Sequence, residues 1–294
     1  MSANFSPLNV LVTGATNQIG YFLIPRLQQA GFTVTAITHR SWVKPPLLRK
    51  EGLGMIAWQQ IDLESEIISI SQPSSLIHCA PLPLLPLLLT RLPVPTLLQR
   101  IIAFSSTSRF TKLDSSVAKE REIATRLAEA EANFIALCDQ FQIAWTLFRP
   151  TLIYGCGRDR NITMMTQWIR RFGFFPILGE GKGLRQPVHA DDLAQACIQA
   201  YNIPVTYRQS YHLSGGQTLH YRAMVETIFH QLGKKPRIVS LPQGIFEGLI
   251  AILAKFPSFN QLSPAMVTRM NQDLCFDHSA ATRDFGYQPR EFEV

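Results

Sequence analysis

The chain has 294 residues, of which 46% are hydrophobic and 17% charged, a composition that excludes a disordered protein and predicts a globular one. Its length suits one large domain, or one domain with a smaller lobe. The net charge of +7 favours an anionic partner, and a phosphorylated small molecule satisfies that charge as well as a nucleic acid does. Because the sequence has no run of Lys and Arg and no basic stripe interleaved with aromatic residues, we expect no nucleic-acid partner.

The five cysteines are odd in number and widely spaced, and no two form a CxxC pair. We therefore expect reduced thiols in a cytoplasmic protein rather than disulfides or a zinc site. The first seven residues lack the basic and then apolar pattern of a secretory leader. We also expect no transmembrane segment, because prolines interrupt the Leu-rich residues 82–98 and the apolar residues 244–256 are too few to span a bilayer. For residues 244–256, a membrane-facing helix is the alternative to packing in the core or as a lid.

Residues 9–20 read Asn-Val-Leu-Val-Thr-Gly-Ala-Thr-Asn-Gln-Ile-Gly, an apolar run that leads through a turn into a helical segment, 21–27. This pattern predicts a buried parallel strand that ends at Thr13 and a helix whose first N–H groups can bind a phosphate. A full GxxGxxG motif would have glycine at position 17, and we expect Asn17 to preserve the turn because asparagine tolerates a left-handed backbone. The alternative is a tight corner without a ligand.

The second predicted strand, residues 32–38, favours a dinucleotide site because it follows the turn at the expected interval. A carboxylate at its tip would bind the ribose hydroxyls of NAD, but this chain has Thr38, His39 and Arg40, whose donors suit the extra phosphate of NADP. We therefore predict NADP as the cofactor, with NAD as the alternative. The other interpretation of Arg40 is a solvated loop cation.

Further apolar runs predict four strands, at residues 55–61, 75–80, 99–104 and 144–148. Good helix formers predict a long helix over 119–141, whereas repeated prolines allow only a short one over 86–91. Because strands alternate with crossovers, the predicted fold class is α/β, with a Rossmann-like doubly wound parallel sheet.

The alternation fails beyond residue 155, where two strand-like segments, 209–213 and 237–241, lie among short helices and loops. We predict an NAD(P)-binding Rossmann domain over 1–155 and a mainly substrate-binding lobe over 156–294. This smaller C-terminal lobe would be interleaved with the last elements of the sheet.

Five segments occur in an order that resembles the short-chain dehydrogenase/reductase superfamily, specifically its extended branch of nucleotide-sugar epimerases, dehydratases and reductases. The segments are Thr13–Gly20, Phe104–Thr107, Leu147–Gly155, Pro187–Ala194 and Tyr211–Gly216. The resemblance covers nearly the whole chain. It implies an NAD(P)-dependent oxidoreductase or epimerase-like protein that acts on a nucleotide-linked sugar in a cleft between the two lobes.

The resemblance also implies roles for individual residues. The pyrophosphate of the cofactor would be held by Gly14, Thr16, Asn17, Gln18, Ile19 and Gly20. Adenine would lie between Asp62 and Leu63, and the ribose would lie beside Cys79, Ala80 and Pro81. Ser105 lies at a strand end where ligands bind, and the nicotinamide would lie over Pro150, Thr151 and Ile153. Thr107 would be the catalytic hydroxyl that binds the reacting oxygen, and Asn161 and Arg185 would contact the nucleotide diphosphate of the substrate.

One departure from this family concerns the proton. Its members carry Tyr-x-x-x-Lys, in which a nearby ammonium lowers the pKa of the tyrosine so that it can exchange a proton. Counting back from Glu131, these positions hold Ile123 and Leu127, and no tyrosine occurs between residues 21 and 154. A water or Tyr154 could take the role, although a packed aromatic residue is the other interpretation of Tyr154. The alternative function is a catalytically degenerate NADP-binding sensor or assembly protein.

Three further features allow two interpretations each. His189 with Asp191 and Asp192 suggests a metal or acid/base site, but a histidine at a strand end with helix-capping aspartates is the preferred interpretation, so we predict no metal. Arg158 and Arg160 suit an anionic ligand, or are exposed charges. A homodimer through residues 86–91 and 119–141 is possible by resemblance, although the first helix is short.

Overall fold

The structure is a computed structural model that describes residues 9–39, 55–93, 95–159, 161–242, 244, 245, 248 and 269–294. In chain order, the described strands are β1 (Asn9–Thr13), β2 (Thr33–Thr38), β3 (Ile56–Gln60), β4 (Ser74–His78), β5 (Leu98–Phe104), β6 (Ala144–Pro150), β7 (Ile153–Tyr154), β8 (Phe175–Leu178), β9 (Leu184–Arg185), β10 (Val188–His189), β11 (Gln209–Leu213), β12 (Leu219–His220) and β13 (Ile238–Leu241). The described α-helices are α1 (Gln18–Gln29), α2 (Leu84–Arg91), α3 (Ser108–Thr111), α4 (Ala118–Gln140), α5 (Ile162–Phe172), α6 (Ala190–Ala200), α7 (Tyr221–Gln231) and α8 (Ser279–Phe285).

Seven of these strands form a parallel sheet in the order β11-β6-β5-β4-β1-β2-β3. The chain adds β2 and β3 on one side of β1 and then returns to place β4 on the other side. In such open sheets, ligands bind outside the carboxyl ends of the strands where the order reverses, which here is between β1 and β4. The predicted doubly wound α/β fold is confirmed.

Helices cover both faces of the sheet, which explains why its central strands are buried throughout. On one face, α1 and α6 pack through Leu23, Leu27 and Leu193. On the other face, α2 and α4 pack through residues such as Leu85 and Phe134. Strands buried on both faces consist of continuous apolar runs, as in Val-Leu-Val of β1.

The observed elements agree with the predicted ones to within two residues for the strands. Helix α1 begins three residues earlier than expected because Asn17 caps it, and His189 caps α6. The short helix α2 has Pro86 in its first turn, where a missing N–H is tolerated.

Beyond residue 155, the chain builds a second cluster and also returns to the sheet. Helices α5 and α7 pack together, β13 pairs with β8, and residues such as Ile169 and Phe229 are buried between them. Strand β11, at the predicted residues, pairs with β6 at the edge of the main sheet. Residues on both sides of position 155 therefore contribute to the sheet. The division into domains at that residue stays a prediction.

Three expectations concern residues that the structure describes only in part or not at all. Residues 244–256 lie largely outside the described ranges, and Arg40 and Arg160 lie wholly outside them. Among the described helices, none has the length and apolar character needed to cross a membrane. All five cysteines are free thiols.

Candidate functional site

The turn after β1 accepts only glycine at two positions. Gly14 has φ +67°, and a Cβ atom built there would lie 2.6 Å from the backbone nitrogen of Ala80. A Cβ atom at Gly20 would lie 2.4 Å from the carbonyl oxygen of Ala15. Because real Cβ contacts are never this short, β1 approaches the chain after β4, and α1 approaches the turn, only through these glycines.

Asn17 preserves this turn in a way that differs from the expected one. Its φ is −76°, so the prediction of a left-handed backbone is wrong. Instead its side chain caps α1: Oδ1 accepts a hydrogen bond from the Gly20 N–H at 2.8 Å. The Nδ2 atom donates to the carbonyl oxygen of Cys79, at the end of β4. Asn17 therefore cross-links the turn to the neighbouring strand and occupies one of the N–H groups at the start of the helix.

A cavity of about 620 Å³ opens at the carboxyl ends of β1 to β4, and we call it the strand-tip cavity. Nine residues predicted to bind the cofactor line it: Gly14, Thr16, Asn17, His39, Asp62, Leu63, Cys79, Ala80 and Pro81. Thr38, which was predicted with His39 at the tip of the second strand, lines it as well, and four further lining residues were not predicted: Ile37, Ile61, Glu64 and Leu84. Except for Leu84, these residues are next to predicted positions in the sequence, so their place at the ends of the predicted strands could have indicated them.

The polar groups of the strand-tip cavity are largely engaged with one another. Thr16 Oγ1 lies 3.0 Å from Thr38 Oγ1. The Asp62 carboxylate accepts hydrogen bonds from the Glu64 N–H at 3.0 Å and from Ser65 Oγ at 2.8 Å. These two bonds, in that order, hold the pKa of Asp62 below its ordinary value, so the carboxylate is ionised. His39 lines the same cavity, whereas Arg40 lies outside the described residues.

A second cavity, of about 520 Å³, lies between the ends of β5 and β6 and the second cluster, and we call it the interlobe cavity. Six predicted residues line it: Gln18, Thr107, Thr151, Ile153, Asn161 and Arg185. The turn after β1 therefore contributes Gly14, Thr16 and Asn17 to one cavity, and the first residue of α1, Gln18, lines the other. The Oε1 atom of Gln18 is buried and has no hydrogen-bond partner among the described residues.

Thr107 directly precedes α3 and is held there by Pro150, the last residue of β6. Its N–H and its Oγ1 both donate to the carbonyl oxygen of Pro150, each at 3.1 Å. The side chain is buried but lines the interlobe cavity. Because its own proton is directed to Pro150, the lone pairs of the hydroxyl oxygen remain to accept a hydrogen bond from a ligand hydroxyl.

The interlobe cavity carries an excess of positive charge. Lys112, Arg158, Arg185 and Arg269 line it, against the single carboxylate of Asp159. Lys112 and Arg269 were missed by the sequence analysis, since neither belongs to a recognised motif.

Most of these charged groups are engaged with the protein. Asp159 accepts hydrogen bonds from Asn161 N and Thr163 N, each at 3.0 Å, so it serves the start of α5. Arg185 donates to the carbonyl oxygens of Leu184 and Gln272, each at 2.7 Å.

Several predicted contacts are not part of either cavity. Tyr154 is 2% exposed, its hydroxyl accepts a hydrogen bond from the Glu293 N–H at 3.2 Å, and it packs edge-on against His189. It is therefore the packed aromatic residue of the alternative interpretation, and the prediction of a substrate contact is wrong for this structure. Burial also raises the pKa of its hydroxyl, which disfavours proton exchange.

Four cofactor predictions also lie outside both cavities: Ile19, Gly20, Ser105 and Pro150. The Ile19 side chain is in the core, and the Gly20 N–H is bonded to Asn17. Pro150 acts through its carbonyl oxygen, which holds Thr107. Ser105 donates to Glu131 Oε1 at 2.5 Å, so its hydroxyl faces a buried ion cluster instead of a ligand.

Glu131, the carboxylate of that ion cluster, lies on α4, the helix that also carries positions 123 and 127, where the resemblance predicts a tyrosine and a lysine. Glu131 is 1% exposed and accepts hydrogen bonds from Arg149 at 2.7 Å and from Arg109. Burial raises the pKa of Glu131, but the bonds from Arg149 and Ser105 outweigh it and hold the pKa below its ordinary value. On the same helix, Ile123 is 37% exposed and Leu127 packs against the core. Neither side chain can exchange a proton.

His189 and its neighbouring aspartates have structural partners. The Nδ1 atom of His189 accepts a hydrogen bond from the Asp191 N–H at 3.1 Å, so the histidine is the helix cap. The aspartates do not cap the helix as expected: Asp191 pairs with Arg26 at 2.7 Å, and both aspartates pair with Arg290. Within the described ranges, no group of His, Cys, Asp and Glu is arranged to hold a metal ion.

The residues of the two cavities fit a dinucleotide. No side chain fits at Gly14 and Gly20, which together we call the glycine cradle. The Gln18 Oε1 atom, which has no partner among the described residues, can accept a hydrogen bond from a ligand hydroxyl. Both cavities adjoin the start of α1. A parallel sheet with a glycine turn at the point where its strand order reverses is the architecture of Rossmann-like dinucleotide-binding proteins.

The sequence model of the NAD dependent epimerase/dehydratase family matches residues 10–84 and 124–212, which is more than half of the chain. The chain therefore belongs to this family.

Two curated proteins are similar to parts of the chain. A protein of Sinorhizobium fredii, the uncharacterized protein y4nG, is 31% identical over 144 residues, which are 49% of this chain and 36% of that protein. The Arabidopsis thaliana protein named NADH dehydrogenase [ubiquinone] 1 alpha subcomplex subunit 9, mitochondrial, is 27% identical over 132 residues, 45% of this chain and 31% of that protein. The chain thus spans about a third of the length of these relatives.

Solved structures share the fold over almost the whole chain. UDP-glucose 4-epimerase from Thermotoga maritima, with UDP-glucose, is 17% identical with a TM-score of 0.69, and the match covers 96% of this chain and 94% of that one. UDP-glucuronic acid 4-epimerase from Bacillus cereus, in complex with NAD, is 16% identical with a TM-score of 0.70 and the same coverage. At this identity the similarity establishes the fold.

Proposed function

We propose that this protein binds a nicotinamide dinucleotide and transfers hydride to or from a nucleotide-linked sugar or a similar alcohol or carbonyl compound. The observation that carries the proposal is the pair of cavities on either side of the turn after β1. One of them has apolar and polar groups suited to adenosine, and the other has a hydroxyl, Thr107, among cationic side chains. Membership of the epimerase/dehydratase family supports it.

In this proposal the adenosine half of the cofactor occupies the strand-tip cavity, between Asp62 and Leu63 on one side and Cys79 to Pro81 on the other. The pyrophosphate passes the start of α1, and Thr151 and Ile153 lie under the nicotinamide. A bound nicotinamide ring supplies a hydride acceptor or donor. The solved epimerase that resembles this chain in fold and is in complex with NAD supports the placement.

We propose NADP as the preferred dinucleotide, with NAD as the alternative. The support is the tip of β2, where Thr38 and His39 stand in place of a carboxylate. Asp62 and Glu64 also line this cavity and would oppose an additional phosphate, although Asp62 is engaged in its own turn. The two dinucleotides must therefore be compared directly.

For the substrate, we propose a nucleotide diphosphate linked to a sugar. The excess of cations in the interlobe cavity suits a diphosphate, and Asn161 and Arg185 are the residues proposed to contact it. The fold neighbour solved with UDP-glucose supports this class of ligand. Thr107 would bind the oxygen of the reacting carbon.

A sugar hydroxyl that loses a hydride from its carbon must also lose its proton, and we propose Lys112 as the acceptor. Of the titratable groups in the interlobe cavity, Asp159 caps α5 and Tyr221 has its pKa raised by burial. The Lys112 ammonium forms no hydrogen bond or ion pair with a described residue. Burial and the nearby Arg269 lower its pKa, against the opposing effect of Glu120. The lowered pKa increases the share of Lys112 that has lost its proton, and this deprotonated form can take the proton of the hydroxyl and return it in the reverse direction.

The first experiment is a fluorescence titration of the purified protein with NADPH and with NADH. Micromolar binding with NADPH preferred supports the proposal, and preference for NADH contradicts the proposed role of the β2 tip.

The second experiment is a turnover assay with keto sugars linked to UDP or TDP. In this assay we expect Thr107→Ala to reduce kcat by about a hundredfold. Thr107→Ser retains the hydroxyl and serves as the control. Absence of turnover by the unsubstituted protein with every sugar contradicts the enzymatic function.

A second candidate function is a catalytically degenerate dinucleotide-binding sensor or assembly protein. It is favoured by Ile123 and Leu127, which stand where the family's tyrosine and lysine would be. The Arabidopsis relative, named as a subunit of NADH dehydrogenase, is consistent with an assembled protein. Binding of NADPH without turnover in the assay above would favour this function.

Two further proposals concern the setting of the protein. The five free thiols support a reducing, cytoplasmic environment. A homodimer through α2 and α4 is supported by the exposed Leu87 and Ile123 on those helices. Size-exclusion chromatography with light scattering tests the dimer, and substitution of Leu87 by Lys should dissociate it.

A further inference from the structure

The start of α1 offers fewer donors to a phosphate than a glycine-only turn would. In the GxxGxxG pattern a glycine at position 17 leaves the N–H groups of the first helical turn directed outwards. Here the Asn17 Oδ1 atom accepts from the Gly20 N–H at 2.8 Å. One backbone donor at the proposed pyrophosphate position is therefore occupied by the protein itself.

A cation lies at the same place. Arg158, in the loop between β7 and α5, donates from Nη1 to the carbonyl oxygen of Thr16. Its guanidinium also lies over the ring of Tyr21, 5.0 Å from the ring centroid. Both partners belong to the turn and to α1. Arg158 thus crosses from the second half of the chain to the turn that joins the two cavities.

The loop that carries Arg158 is fixed at both ends. Gly155 has φ +125° and lies against His189, since a Cβ atom there would be 2.8 Å from the imidazole Nε2. Asp159, the next residue after Arg158, accepts hydrogen bonds from two N–H groups at the start of α5 and from the Thr163 hydroxyl at 2.7 Å. Because Gly155 and Asp159 are anchored, the loop between them holds Arg158 against the turn after β1.

The charge of Arg158 is uncompensated by the protein. The guanidinium is exposed, and it forms no ion pair with a carboxylate in the described part of the chain. A guanidinium has five N–H donors, of which the Thr16 carbonyl occupies one, so donors remain for two phosphate oxygens. It lines the interlobe cavity together with Gln18, at the helix start.

We propose that Arg158 binds the pyrophosphate of the dinucleotide and replaces the backbone donor that Asn17 takes from the turn. This inference rests on the proposed cofactor binding and adds to it a residue outside the glycine turn. A diphosphate can also come from a nucleotide sugar in the interlobe cavity. The hydrogen bond to Thr16, which lines the strand-tip cavity, favours the dinucleotide.

The test is calorimetric binding of two probes, ADP-ribose for the cofactor site and UDP for the substrate site. Loss of a charge-assisted bidentate contact predicts that Arg158→Gln raises the Kd for ADP-ribose about tenfold to a hundredfold. The Kd for UDP should change less than about twofold, within the uncertainty of independent sites. Arg126→Gln is the matched control, because Arg126 is exposed on α4 and its substitution removes the same charge. Arg158→Lys retains the charge but lacks the planar guanidinium that binds two oxygens at once. Its Kd for ADP-ribose should lie between those of the unsubstituted protein and Arg158→Gln.

A double-mutant cycle tests the replacement itself. Asn17→Gly frees the Gly20 N–H, and glycine is tolerated at a helix cap, so the variant should fold. In the Asn17→Gly background, Arg158→Gln should raise the Kd for ADP-ribose by a smaller factor than it does in the unsubstituted protein. The two factors should differ by about threefold or more. Thermal unfolding of each variant verifies that the fold is retained.

The outcomes distinguish a failure of the proposed cofactor function from a failure of the proposed role of Arg158. If unsubstituted protein binds no ADP-ribose, the proposed cofactor function and this inference both fail. If it binds, but Arg158→Gln and Arg126→Gln have equal Kd values, only the role of Arg158 is overturned. A Kd change for UDP alone assigns Arg158 to the substrate and also overturns the inference. If the effects of Asn17→Gly and Arg158→Gln on the Kd for ADP-ribose are additive, Arg158 does not replace the backbone donor that Asn17 occupies.

Discussion

The imidazole of His78 joins the end of β4 to the end of β1, since its Nδ1 atom lies 2.8 Å from Thr13 Oγ1. On its other side, Nε2 lies 3.2 Å from the carbonyl oxygen of Pro81. A carbonyl oxygen can only accept, so Nε2 carries the proton and Nδ1 accepts from the Thr13 hydroxyl. The neutral ring is thus built into the backbone that borders the strand-tip cavity.

The neutral state of His78 predicts a pH-dependent stability. Burial lowers the pKa of the ring to about 4 from the ordinary 6.5. The unfolded chain therefore takes up a proton at higher pH than the folded protein does. The stabilisation is fully present above pH 6.5 and is lost as the pH falls towards 4, by up to about 3 kcal/mol.

Urea unfolding at pH 7.5 and pH 4.5 checks this expectation. His78→Gln has no titrating ring, so its free energy of unfolding should decrease less over this range than that of the unsubstituted protein. His230→Gln is the control because His230 is exposed on α7. Equal pH dependence in the unsubstituted protein and His78→Gln would contradict the assignment.

The glycine cradle predicts a difference between two Gly→Ala substitutions. Gly31 has φ +83° with no atom within 4 Å of a Cβ atom, so Gly31→Ala should cost only the backbone strain, about 1 kcal/mol. Gly14 has a similar φ of +67° but also the contact with Ala80. Gly14→Ala should cost about 2 kcal/mol more, because the backbone of β1 and β4 must separate.

Urea unfolding of the two variants measures this difference, and titration with ADP-ribose measures its effect on the cavity. We expect Gly14→Ala to abolish binding and Gly31→Ala to leave it unchanged. Equal stabilities of the two variants would show that the turn can relax without loss.

Much of the strand-tip cavity could be predicted from the sequence because the sheet is parallel. Gly14, Asp62 and Cys79 are far apart in the chain, but each follows the end of a predicted strand, and such ends meet at one edge of the sheet. An apolar run followed by a glycine turn is a local pattern, and the topology then brings the local patterns together.

The interlobe cavity was harder to predict because its parts come from segments without periodic patterns. Arg269 follows residues that lie outside the described ranges, and Lys112 ends a helix of only four residues. The motif that contains Tyr154 could be recognised, but whether its hydroxyl faced the cavity or the core depended on the packing of Glu293, distant in sequence. Side-chain direction at such positions is set by tertiary contacts that no local pattern encodes.

The Glu131 cluster predicts a large loss of stability on removal of one charge. Glu131 on α4 compensates Arg149 on β6 and Arg109 on α3, and it is almost fully buried. Glu131→Gln leaves two arginines without their partner, and breaking a buried pair typically costs about 3–5 kcal/mol. Glu129→Gln is the matched control, because Glu129 is exposed on the same helix.

Urea unfolding of both Glu→Gln variants at pH 7.5 measures the effect. A loss below about 1 kcal/mol in Glu131→Gln, comparable to that of a surface pair, would contradict the role of the cluster. Because Arg109 lies on α3 beside Thr107, we expect that Glu131→Gln also lowers kcat in any turnover assay.

The proposed proton transfer by Lys112 predicts a reactivity that does not depend on knowing the sugar. Burial and the field of Arg269 lower the pKa of the Lys112 ammonium, against the opposing charge of Glu120. Lys119, in the first turn of α4, is exposed and serves as a control for substitution. Acetic anhydride labelling from pH 7 to pH 10.5, with peptide mass analysis, should therefore modify Lys112 with a midpoint below the ordinary lysine pKa of 10.5. Glu120→Gln removes the opposing charge and should move that midpoint lower still.

Turnover assays then separate proton transfer from simple attraction of the substrate. Loss of a general base costs about a hundredfold or more in kcat, so Lys112→Gln should reduce kcat while leaving the Kd for UDP nearly unchanged, and Lys119→Gln should alter neither. If Lys112→Gln instead weakens UDP binding and retains kcat, Lys112 is a phosphate contact. Since the remaining cavity groups are engaged or have raised pKa values, a bound water would then be the proton acceptor.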